Sequence, residues 1–570
     1  MRHSAIIIAL ALIPVSFAHA QIPTAERDAL IALYNATNGA GWTNKTGWLG
    51  AAGTECDWYG VSCFTSYDNV FSIRLGDNNL SGTIPSELGN LSMMRTLSLY
   101  DNQLTGSIPS ELENATFLRD LSLSGNQLTG SIPSELGNLS HLDHLFLGKN
   151  QITGTIPPEL GNLSNLIYLH LGWNQLTGTI PPELGDLTSL STGLQLEDNQ
   201  LTGNIPPELG DLVNLTGLRL SNNQLTGSIP AELGALVDLV QLHLHGNQLS
   251  GTIPPELAAL PVVEQMYLYS NQLDGSIPPE FGTMTAPVDL ILRDNRLSGS
   301  IPPELGNMTA VWALGLASNQ LSGEIPTELM GLSTLLHLDL SYSALHTDNP
   351  ALIAFIDGKF GDILWRMTQT VAPESLSVGT GPGPGPSPVG DHTIWLNWIP
   401  IDYQMDPGGY EVFSSPTGSG VWTSGGWNDN KVMPFFPVTG LAPGTTYDLA
   451  VASYTDPHTY NQNLVESDLS ALVMETTAST GCAQPVIQAT GTGPFTLTLT
   501  ESYDTYAWHT GEATPSIVVD PQSETWYAVA VTWTGPCDEA AVISVKPFDP
   551  LVFSDGFESG DATEWSNAIP

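Results

Sequence analysis

From Val70 to Tyr342 the apolar positions recur in one fixed frame, L-x-x-L-x-L-x-x-N-x-L-x-G-x-I-P-x-E-L-x-x-L, complete in Leu118 to Leu139. The asparagines set the register: Asn78, Asn102, Asn126, Asn150, Asn174, Asn199, Asn223, Asn247, Asn271, Asn295 and Asn319. They are spaced by 24 residues except between Asn174 and Asn199, where one extra residue near Ser191 and Thr192 predicts a local bulge. A repeat of this length cannot bury its apolar face alone, so neighbouring units must stack into a solenoid with a continuous core. The L-x-L segment reads as a short strand. Leu121 and Leu123 point inward and the residue between them outward, because strand side chains alternate. Each asparagine turns inward to bond backbone groups of adjacent turns, so Asn174→Leu is expected to cost about 1–3 kcal/mol. Gly106 and Gly130 permit tight reversals, and each Ile-Pro pair gives an extended second segment. A last strand, Leu338 to Leu340, reaches Ser343 where the asparagine would stand.

Beyond the repeats the pattern changes. Pro350 to Trp365 has helical apolar spacing and predicts a terminal cap. Gly379 to Gly390 is a Gly-Pro run of extended character. From Gly481 to Pro547, alternating stretches such as Thr496 to Leu499 and Trp526 to Val531 predict a small β-sandwich.

The first residues, Met1 to Ala20, combine Arg2 and His3, the apolar run Ala5 to Pro14 and the small-x-small ending Ala18-His19-Ala20, which reads as a secretory leader. The expected location is therefore secreted or at the cell surface, without membrane insertion. In that setting the four cysteines are expected to pair as Cys56 with Cys63 and Cys482 with Cys537. Neither pair has zinc-site spacing. The 58 acidic against 14 basic residues give a net charge of −44, which excludes nucleic acid as a partner. It suits solubility in saline surroundings.

No metalloprotease, nucleophile-elbow or phosphate-loop motif occurs, so the reading assigns no catalytic residue, cofactor or metal. His243 and His245, about 7 Å apart on one strand face, form the best metal candidate, but they lack an evident third ligand. Eleven glutamates follow Ile-Pro-x, from Glu87 to Glu328, and read as solvated repeat positions rather than catalytic acids. The outward columns point instead to recognition. They carry Tyr168, His170, Gln195, Glu197, Arg219, Gln241, His243, His245, Gln265, Tyr267, Tyr269 and Arg293, with Trp173 at the edge. Elsewhere the same columns hold mostly small residues such as Ser98, Ser122, Ser124, Gly315 and Ala317, Tyr100 and Phe146 excepted. Aromatics and arginine on a rigid surface have the composition of binding hot spots.

The repeat resembles the plant-specific class of leucine-rich repeats, identified by its L-x-G-x-I-P segment from Ile84-Pro85 to Ile325-Pro326, which is found in plant receptor ectodomains and bacterial secreted proteins. Ala29 to Tyr34, Gly41-Trp42, Gly47-Trp48 and Cys56 to Cys63 resemble that family's disulfide-bonded N-terminal cap. The resemblance implies an α/β solenoid, a right-handed superhelix with a parallel β-sheet on its concave face. Two β-sandwich domains are expected to follow. The membrane helix and kinase of the plant receptors have no counterpart motifs here. Trp395 to Trp398, Tyr410 to Val412 and Gly440 to Tyr447 resemble a fibronectin type III domain. Tyr506 to Gly511 is similar to adhesion-type modules, and Phe553 to Gly560 to C-terminal segments of secreted bacterial proteins.

The expected organisation is a leader over 1–20, cap over 21–69, repeats over 70–343, solenoid cap over 344–369, fibronectin-like domain over 370–478, Ig-like sandwich over 479–548 and tail over 549–570. The function expected is recognition of an extracellular protein, peptide or glycan. A hydrolase with an unrecognised site, or a structural surface component, are the alternatives.

Overall fold

The computed structural model describes residues 22–64, 69–361 and 365–370, and beyond them most of 373–544. The leader, the tail, Cys482 and Cys537 lie outside the described residues. The chain divides into two compact units, one of residues 1–271 with 286–288, the other of the remaining residues.

In the first unit the L-x-L segments form a parallel sheet in sequence order, running from Val70–Arg74 to Gln265–Tyr267. Register is straight, with leucine beside leucine from strand to strand: Leu121 beside Leu145, Leu145 beside Leu169, Leu169 beside Leu194. These leucines are fully buried. Each repeat returns through a five-residue 3-10 helix such as Pro158–Asn162, whose tight winding lets a short stretch cross back to the next strand. The glycine of each Glu-Leu-Gly segment permits the close stacking: a Cβ on Gly137 would lie 2.3 Å from the Glu159 carbonyl oxygen. The glutamates of that segment, Glu87 and Glu111 among them, are exposed apart from half-exposed Glu135.

The asparagines hold the turns together. Asn174 donates from Nδ2 to the carbonyls of Leu147 and Leu171 at 3.1 and 3.0 Å, and its Oδ1 accepts from the Ile152 N–H at 3.0 Å. The extra residue between Asn174 and Asn199 is absorbed before the strand. The hydroxyl of Thr216 donates to the carbonyls of both Ser191 and Thr192, and Gly193 then pairs with Tyr168 in ordinary register.

The helix Thr24–Ala36 closes the first end. Buried Glu26 accepts hydrogen bonds from the Val70 N–H and the Asn69 side chain, both 2.7 Å, and so satisfies the opening edge of the sheet. Trp42, Trp48 and Trp58 pack in succession against Tyr34, and Cys56 is bonded to Cys63. Replacing both cysteines by serine is expected to cost about 2 kcal/mol, the entropy of a short closed loop. Thermal melts and non-reducing peptide mapping check this, and free Cys56 in the folded protein would contradict it.

The second unit continues the same repeat from Asp289–Ile291 to His337–Asp339. Here the helical pattern over 350–365 is corrected. The helix is Pro350–Asp357, capped by Asn349, and it ends before Gly358. The chain then adds Phe360–Gly361 to the sheet beside His337, so the residues after Gly358 serve pairing rather than helix. Gln369 does the work of a ladder asparagine: its Oε1 accepts from Leu345 N–H at 2.9 Å and its Nε2 donates to the Leu340 carbonyl at 2.8 Å.

Further β-sheets follow. Strands Glu374–Val378, Ile394–Ile399 and Phe435–Val438 form one, and a second is built on Gly408–Pro416 paired with Thr446–Thr455. Their core holds Trp395, Trp398, Tyr410 and Val451. The Tyr410 hydroxyl donates to the Lys431 carbonyl and accepts from Ile401 N–H, and burial pushes its pKa up to about 12. A last pair of three-stranded sheets encloses Leu497, Trp508, Ile517 and Val529.

Candidate ligand-binding face

Strand alternation brings twelve of the thirteen sequence-selected residues onto the first unit, in straight register. Tyr168 and His170 lie beside Gly193 and Gln195; Gln195 lies beside Arg219, Arg219 beside His243, and His243 beside Tyr267. Arg293 belongs to the other unit, is exposed, and bonds Asp294 at 3.0 Å.

Two banks of rings result. In one, Phe146 meets Tyr168 edge to face at 5.0 Å, Tyr168 lies parallel to His170, and Trp173 stands against His170 at 5.8 Å with the Lys149 ammonium 5.5 Å over its ring. In the other, His243 stacks on Tyr267 at 4.7 Å and His245 on Tyr269 at 4.3 Å. These separations approximate the distance between neighbouring strands, so the rings pile up along the sheet with their faces turned sideways. The His243 Nε2 bonds Gln265 Oε1 at 2.9 Å, and the ring serves in stacking. Among the described residues no group of three His, Cys, Asp or Glu side chains gathers to hold a metal.

Between the banks lies a polar strip: Gln195, Glu197 and Arg219, edged by Gln241 on the strand of His243, with Gly193, Gly217 and Ser221 keeping it low. Arg219 donates from Nη2 and Nε to Gln241 Oε1, at 2.8 and 3.3 Å. Glu197 lies over Gly172, where a Cβ would come within 3.0 Å of its Cδ. It is 3% exposed, and neither carboxyl oxygen has a hydrogen-bond partner on any other residue. Burial raises its pKa, against the lowering effects of its own backbone N–H and of Arg219.

Sequence reasoning passed over three contributors, Phe146 among them. His144, which stacks on Phe146 and bonds Asp120 at 2.6 Å, and Lys149 both belong to the first bank. The glycines of the outward columns were the missed signal: Gly148 makes room for the His170 ring and Gly193 for Tyr168.

Trp173 is placed at a cost. It occupies the turn position that Asp101, Gly125, Lys149, Gly246 and Tyr342 fill elsewhere, with φ of 54°, a left-handed conformation that costs a bulky residue about 1–2 kcal/mol. The repeat imposes this conformation at every copy, and here it holds a large ring at 40% exposure. Trp173→Gly is expected to raise or preserve the melting temperature while weakening ligand binding, and a fall in melting temperature with binding intact would contradict this.

Burial, with Lys149 and Arg219 nearby, lowers the His170 pKa to about 4. The unfolded chain therefore takes up this proton first as pH falls from about 6.5, so the stability contribution is present above that pH and is lost on acidification towards 4. His170→Asn should flatten the pH dependence of the melting temperature across that window; an unchanged slope would contradict the assignment.

Residues 80–228 match the family model described as a leucine-rich repeat region, residues 213–259 that of two leucine-rich repeat copies, and residues 288–308 that of a single leucine-rich repeat. The fold is a leucine-rich-repeat solenoid. Among solved structures the solenoid is similar to PEPR1–AtPEP1, with TM-score 0.51 and 29% identity over 60% of this chain and 55% of that one. It also matches the ectodomain of the plant membrane receptor kinase GASSHO1/SCHENGEN3 from Arabidopsis thaliana in complex with CASPARIAN STRIP INTEGRITY FACTOR 2 (TM-score 0.44, 36% identity, 53% and 42% coverage). A third match is the Arabidopsis receptor kinase HAESA with the peptide hormone IDA and the co-receptor SERK1 (TM-score 0.39, 28% identity, 56% and 66% coverage). The chain spans about half the length of the first two structures. A comparison with curated proteins gives no match.

Proposed function

We propose that this is an extracellular recognition protein that binds a protein, peptide or glycan ligand through the open face of the solenoid sheet. The carrying observation is the pair of aromatic banks, Phe146 to Trp173 and His243 to Tyr269, on a rigid parallel sheet. Rings already stacked in place give up little freedom on binding, so contact area translates into affinity at low entropic cost. No helix among the described residues is long and apolar enough to cross a membrane, and the reading needs none.

Within this reading Tyr168, His170, Trp173, Gln195, Glu197, Arg219, Gln241, His243, His245, Gln265, Tyr267 and Tyr269 contact ligand. The β-sheet domains act as spacers or adhesion units. Their fibronectin type III-like character is supported by the Ala442 N–H donating to the Tyr447 hydroxyl at 2.9 Å, the hydrogen bond of a tyrosine corner. The test is capture of ligands on glycan and peptide arrays by the whole protein, compared with a variant whose second ring bank is removed. Equal capture by both would overturn the assignment to this face.

A further inference from the structure

Resting on that reading, the polar strip between the banks narrows the ligand chemistry. We infer that it seats a neutral polyhydroxylated group, a sugar residue of a glycan, with Glu197 accepting from ligand hydroxyls, Arg219 donating to them, and the flanking rings packing against the sugar's C–H faces.

Three observations support this. Glu197 is buried with both oxygens lacking a hydrogen-bond partner on any other residue. A buried acceptor left unmade is costly, and a ligand that supplies donors recovers that cost on binding. Arg219 stands on the adjacent strand within the field of Glu197, and Gln241 engages only two of its five N–H groups. A cationic ligand group would be attracted by Glu197 and repelled by Arg219, and an anion the reverse, so a unit charge gains little here. A hydroxyl both donates and accepts, and neighbouring hydroxyls satisfy the two side chains together.

The strip's flanks provide the second half of the recognition. It is two strands wide, so the banks rise from strands three spacings apart, about 14 Å, room for one sugar ring between them once the side chains lean in. His243 and His245 end the second pile and turn ring faces toward the strip, an apolar surface beside fixed hydrogen-bonding groups. A mostly apolar lining with a few placed polar groups is the usual design of a small-molecule subsite.

The test uses the full-length protein on an array of neutral glycans and on a peptide array, followed by titration of any neutral oligosaccharide that binds. Glu197→Ala removes the acceptor. Gly217→Ala narrows the strip without strain, because a Cβ there has no contact nearer than 3.6 Å. A neutral oligosaccharide should bind, and each variant should weaken it ten-fold or more without lowering the melting temperature. No binding on the neutral glycan array, or binding that both variants leave intact, overturns the sugar subsite. If peptides bind instead and removal of the second ring bank abolishes that binding, the recognition face stands and only its ligand class is wrong. If glycan or peptide binding survives removal of the bank, the face itself is wrong.

Discussion

Replacing His243, Tyr267 and Tyr269 together by alanine is expected to abolish ligand binding while the solenoid stays folded. The three rings stand on consecutive strands and point away from the leucine core, so no buried leucine loses a neighbour. What is lost inside the protein is ring stacking, His243 on Tyr267 and His245 on Tyr269, worth about 0.5–1.5 kcal/mol for each pair. What is lost to the ligand is most of one bank, and hot-spot residues of this type commonly cost 2 kcal/mol or more apiece when truncated. Binding should therefore fall by several orders of magnitude for a melting-temperature drop of a few degrees. Circular dichroism melts alongside array binding read both quantities. Full affinity in the triple variant would move the site to another face or to the β-sheet domains.

Asn174→Leu is expected to do the opposite, lowering stability severely without touching the face. The substitution strands three buried backbone groups at once, the Ile152 N–H and the carbonyls of Leu147 and Leu171. Each orphaned group costs about 1–3 kcal/mol, so the loss should reach or exceed the upper end of the range expected from sequence alone. The leucine also cannot restore the links between three successive turns, and the damage should appear as local opening around Asn174. Hydrogen exchange would show faster amides at Ile152, and an unchanged melting temperature would defeat the ladder account.

The repeat was legible because one frame occurs many times over: a leucine at L-x-L has one direction to point once the strand alternates. The ladder asparagines were readable for the same reason, since a polar residue at a buried column must find backbone partners. Where the frame lapses, reading failed. Gln369 lies after a gap in the pattern, and only the path of the chain past Gly361 brings its amide to Leu345 and Leu340. The helix over 350–365 was overextended because helical apolar spacing continued past Gly358, while pairing with His337 drew Phe360 into the sheet.

The composition of the candidate face followed from the sequence: fixed register places Tyr168, Gln195, Arg219 and His243 in neighbouring columns whatever else the chain does. Its electrostatics did not. That Glu197 is buried without a partner on any other residue, that Arg219 turns to Gln241, and that the rings divide into two banks depend on how side chains lean across strands into room left by Gly148, Gly172 and Gly193. Backbone periodicity is a local property repeated along the chain, so the sequence carries it in every copy. Side-chain direction on an open sheet is set by contacts between residues more than twenty positions apart, each pair different, and only the folded structure brings those pairs together.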